Sequence, residues 1–80
     1  MDKELALHII RTAFRSAAAL DELLPLLQHH CREEEAKAYG LAIASAIAGI
    51  HRELTNRVFS SLPELQAEVE TQIRKYGRIL

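Results

Sequence analysis

Small or apolar residues return at every third or fourth position along most of this chain, and that spacing constrains its fold more than any other feature. Leu5, Ile9, Ala13, Ser16, Leu20, Leu24 and Leu27 form the first such row, with Ile10, Phe14 and Ala17 beside it. At 100° per residue, Glu4, His8, Arg11, Arg15 and Glu22 fall on the opposite side, leaving a wide apolar stripe with a solvated back. No stretch alternates apolar and polar residues as a half-buried strand would. The fold class expected is all-α.

Breaks in the pattern divide it into three helices. Pro25 cannot donate to the carbonyl of Asp21 and its ring crowds that turn, so a first helix over about residues 2–29 is expected to kink between 20 and 25. Glu33, Glu34 and Glu35 oppose the positive end of a helix dipole, with Arg52 and Arg57 towards the far end, which marks a second helix over about 33–59. The intervening QHHCR link has neither Gly nor Pro and must be short. The two helices, each roughly 40 Å long at 1.5 Å per residue, are expected to pair as an antiparallel hairpin.

A shorter third helix, over about 62–77, opens at SLPE, where Ser61 caps, Glu64 reaches back as in a capping box and Pro63 occupies the first turn. Leu62, Leu65, Val69, Ile73, Tyr76 and Leu80 form its stripe, and Gly77 stands where it would end. Neither a repeat nor a low-complexity linker divides the chain, so residues 1–80 are expected to form one helical domain.

The run from Ala38 to Ile50 carries no charge, but its thirteen residues fall short of the ~20 that span a bilayer. On a helix it resolves into three sides. Tyr39, Ile43, Ile47 and Ile50, continued by Leu54 and Val58, are expected to pack on the first helix; Ala42, Ala46 and Gly49 form a row of small residues beside them. Leu41, Ala44, Ser45 and Ala48 form the third side, between Lys37 and Arg52. Each Gly in a helix interior costs ~0.5–1 kcal/mol relative to Ala unless it admits a close neighbour.

The second helix therefore reads as having neighbours on more than one side, and a short third helix cannot cover two long ones. A chain this small also buries only about 60% of its unfolded surface, so self-association would add to a thin core. Neighbours from within one chain would give a monomeric three-helix bundle; the unequal helix lengths favour a homodimer instead, two hairpins packing across a two-fold axis as a four-helix core. Its surface is assigned to Leu41, Ala42, Ala44, Ser45, Ala46, Ala48 and Gly49, with Leu5, Ile9 and Phe14 from the first helix.

Composition narrows the function classes. Ten Lys and Arg against eleven Asp and Glu leave a net charge of -1, so no global field draws the chain to nucleic acid or to an anionic membrane. Cys31 is the single cysteine, which rules out an internal disulfide framework and suits a reducing compartment. MDKELALHIIRTAF lacks the basic and continuous apolar regions of a signal peptide, so a cytoplasmic location is expected.

No Gly-rich phosphate loop is present, and neighbours in sequence do not bring a nucleophile, base and orienting acid onto one helix face, so neither catalysis nor a cofactor is expected. The leading reading is a self-associating interaction or regulatory module, with a further protein partner left open. A nucleic-acid-associated regulator comes second, through Arg11 and Arg15 on one face and Arg74, Lys75 and Arg78 around Tyr76 in RKYGR. A metal-responsive protein comes third, through His29, His30 and Cys31. Adjacent helical side chains point about 100° apart, however, and tetrahedral zinc needs a fourth donor such as Glu33 or Glu34.

Overall fold

The computed structural model describes residues 1–79, and among these there is no strand. The elements are α1 (Lys3–Asp21), α2 (Leu23–His30), α3 (Glu33–Ile50), a π-helical turn (His51–Thr55), α4 (Asn56–Ser61) and α5 (Pro63–Tyr76). Helices α1 and α2 form one broken rod, and α3 runs back along it through the π turn into α4. Helix α5 then returns beside α1. Among the described residues no helix is long and apolar enough to cross a membrane.

Each boundary has a local cause. The Asp2 carboxylate accepts a hydrogen bond from the Leu5 amide at 3.4 Å and opens α1. The rod breaks at Glu22, which puts Pro25 in the first turn of α2, where a missing N–H costs little. Cys31 and Arg32 are both extended and make the link to α3, whose first turn carries Glu33, Glu34 and Glu35. Gly77 ends α5 in the left-handed region at φ 72°, its amide donating to the Ile73 carbonyl at 2.8 Å.

Three expectations about side chains are corrected. The capping box at SLPE does not form: Ser61 is still helical, its hydroxyl donates to the Arg57 carbonyl at 3.2 Å, and Leu62 caps α5 through its backbone alone. Pro63 at the first position makes that sufficient, because it brings no N–H to satisfy. The interior glycines are not sites of close helix approach within the chain either. A β-carbon on Gly40 would lie 3.8 Å from Leu24 and one on Gly49 would lie 3.5 Å from Arg52, both ordinary contacts.

The bulky side of the second helix is also divided. Ile43 and Val58 are buried and Ile47 and Ile50 half-buried, but Tyr39 and Leu54 are exposed. The π turn accounts for Leu54. It adds one residue to the helix, so that Thr55 takes the inward position Leu54 would hold in a regular α-helix. Thr55 is 4% exposed, and its hydroxyl lies 3.0 Å from Nδ1 of His51, so the buried oxygen is partnered.

The core lies where three helices meet. Ala6, Ile10, Val58, Leu65 and Val69 are buried together, with Leu7, Phe14, Phe59 and Leu62 packed around them. Lys3 meets Glu68 at 3.1 Å midway along α5, and Ala18 shares a cleft with Gly77 and Ile79 beyond its carboxyl end. Beyond that point α2 packs against α3, and α2 buries no residue completely. The protein is consequently long and thin, with extents of 45 × 24 × 16 Å.

Candidate functional site

Two surfaces of α1 differ in chemistry. On one flank a groove of about 430 Å³ runs between α1 and the α3/π rod, lined by Ile9, Thr12, Ala13, Ser16, Ile50 and Leu54 with His8 at its edge. Helical spacing extends it in both directions: Leu5 lies one turn before Ile9, and Ala46, Ala42 and Tyr39 precede Ile50 at steps of four, four and three. Leu5 is 51% exposed, Leu54 47% and Tyr39 54%. Neither row contains an Asp, Glu, Lys or Arg.

The residues assigned to self-association divide between surfaces. Leu5, Ile9, Ala42 and Ala46 fall on this apolar flank. Leu41, 72% exposed, lies with exposed Ala44, Ser45 and Ala48 on the outer side of α3, and half-buried Gly49 lies near Arg52. Phe14 is elsewhere: its ring stands 5.1 Å from that of His51, and it faces the other flank of α1. Ile50, Leu54 and Tyr39 were hidden from a sequence reading, because regular helical spacing sends all three inward.

The other flank of α1 holds an open cleft of about 570 Å³ bordered by α5 and the turn after it. Phe14, Ala18, Ile73 and Ile79 supply apolar surface, and Arg11, Arg15 and Arg78 supply the charge. The structure thus gathers three of the five cations in the nucleic-acid reading. Lys75 and Tyr76 line a separate depression beside Glu68. The sequence signal for this cleft was the i, i+4 spacing of Arg11 and Arg15; what it lacked was the direction in which α5 returns.

At the α2–α3 link, His29 and His30 are exposed with ring centroids 5.0 Å apart and edge-on. Cys31 is half-buried, and its thiol is pushed up from its ordinary pKa by partial burial first and then by the Glu35 carboxylate, which repels a thiolate and accepts the thiol's hydrogen bond. No three His, Cys, Asp or Glu side chains among the described residues are placed to hold a metal ion. Compared with known protein families, with curated proteins and with solved structures, the chain matches none.

Proposed function

We propose that this protein is a non-catalytic self-associating module whose two copies stack their α1/α3 layers across a two-fold axis. Each apolar flank covers the other, giving a four-helix core with one α5 on each outer side. The observation that carries this reading is the uncharged double row centred on Ile9, Ala46, Ile50 and Leu54 in a chain too thin to bury it.

Surface area makes the case quantitative. The chain exposes 5924 Å², whereas a compact folded monomer of 9.0 kDa exposes only about 4,900 Å². The excess, about 1,000 Å², is near the ~800 Å² per partner that a standard stable interface removes from water. Small Ala42, Ala46, Thr12 and Ser16 let helices approach closely, while Leu5, Ile9 and Leu54 supply the bulk that an interface core requires. A net charge of -1 puts little repulsion between two copies.

In this arrangement Leu41, Ala44, Ser45 and Ala48 stay at the rim, where a different protein can dock and where regulation would act. A cytoplasmic setting fits, since it keeps Cys31 as a thiol. Leu54→Glu and Ala46→Glu test the placement, because both positions are exposed in the single chain and the variants keep their helical circular dichroism. Sedimentation should then report monomers; dimers as stable as the parent's would refute this interface.

A further inference from the structure

The geometry of the second cleft points to a small amphipathic anion as its ligand: we infer that it takes an apolar chain ending in a carboxylate or a phosphate. Its volume of about 570 Å³ lies within the ~300–1,000 Å³ of small-molecule sites. Its lining separates into a basic part and an apolar part, and among the described residues no acidic side chain lines it.

The basic part is assembled from two elements. Arg11 and Arg15 stand one turn apart on α1, and the left-handed turn at Gly77 brings Arg78 and Ile79 into the same cleft. Planar guanidinium groups match carboxylate and phosphate oxygens two bonds at a time, and they do so more strongly beside apolar walls than in open water. Phe14 and Ile73 furnish those walls and would be left wet by a bare inorganic anion. An aliphatic chain covers them.

A nucleic acid fits less well. Its phosphates call for a continuous basic track and its bases for exposed aromatic platforms, whereas Lys75 and Tyr76 line a different depression, with Glu68 among them. The cleft and the apolar flank occupy different sides of α1, so ligand binding is compatible with self-association.

Amide NMR spectra of the full chain, titrated with decanoate, decyl phosphate, decanol and inorganic phosphate, test the inference. Both amphiphilic anions should produce saturable shifts at Ala18, Ile73 and Gly77, and the tighter of the two identifies the headgroup class. Decanol and inorganic phosphate should each bind at least about tenfold more weakly than the better anion, since each lacks one half of the recognition. Arg15→Gln and Arg78→Gln should each weaken that anion about tenfold, while Arg52→Gln, outside the cleft, leaves it unchanged. Arg15 and Arg78 are exposed, so these variants fold. Absence of saturable shifts, equal binding of decanol, or shifts at Ile9 and Leu54 instead would overturn the inference. So would a single-stranded oligonucleotide that binds through Arg15 and Arg78 and is not displaced by decanoate.

Discussion

Cys31 is set at the point where the backbone leaves α2, and its reactivity follows from what surrounds it there. Partial burial and the Glu35 carboxylate both favour the neutral thiol. The folded state therefore holds this proton more tightly than the unfolded chain. The resulting stabilisation is present at neutral pH and is lost as pH rises through the raised pKa. Iodoacetamide should alkylate Cys31 more slowly than a free thiol at pH 8, with the rate climbing only at higher pH. Glu35→Gln should move that profile to lower pH and speed the reaction severalfold at pH 8, because one source of repulsion is gone; a rate no different from the parent's would show that Glu35 has no influence. Sequence alone showed His29, His30 and Cys31 as neighbours, but it could not show that the thiol turns towards an acid four residues further on.

Among the elements, the π turn most alters what the sequence implies. Regular α-helical phase from Ile43 through Ile47 and Ile50 points Leu54 inward; the extra residue between His51 and Thr55 sends Thr55 and Val58 to the core instead. Deleting Arg52 should remove this insertion and let a continuous α-helix keep Ile43, Ile47, Thr55 and Val58 on one side. Deleting Ala44 should instead rotate everything after it by about 100° and uncover the core. Urea unfolding should show the Arg52 deletion losing far less stability than the Ala44 deletion, and the reverse order would contradict the phase argument. Gly40 supplies a second test at this scale. With only an ordinary 3.8 Å contact waiting for its β-carbon, Gly40→Ala should stabilise the fold by ~0.5–1 kcal/mol and raise Tm by a few degrees; a destabilised variant would mean that the space is needed.

The division into three helical segments, the third shorter than the others, could be read from the spacing of Leu5 to Leu27, the acidic start at Glu33 and the start at Pro63, because these are local signals. The direction of α5 relative to α1 could not, since it depends on Ile10, Leu65 and Val69 finding each other across more than fifty residues. Along the apolar flank, the helical spacing of Leu5, Ile9, Ala42 and Ala46 was legible, whereas the outward position of Leu54 depends on the π turn and was not. Three arginines meeting at one cleft follow from the same tertiary choice.

For the whole molecule, shape and surface make the same point. Its radius of gyration is 14.9 Å, against ~12 Å for a compact domain of this length. A helix pair left bare along one flank explains both this and the excess surface. On the proposed assembly a second copy covers that flank. Sedimentation equilibrium of the parent chain over a wide concentration range measures this most directly. The prediction is a reversible species of twice the 9.0 kDa chain mass that dominates at high concentration; a single 9.0 kDa species up to the highest soluble concentration would contradict it.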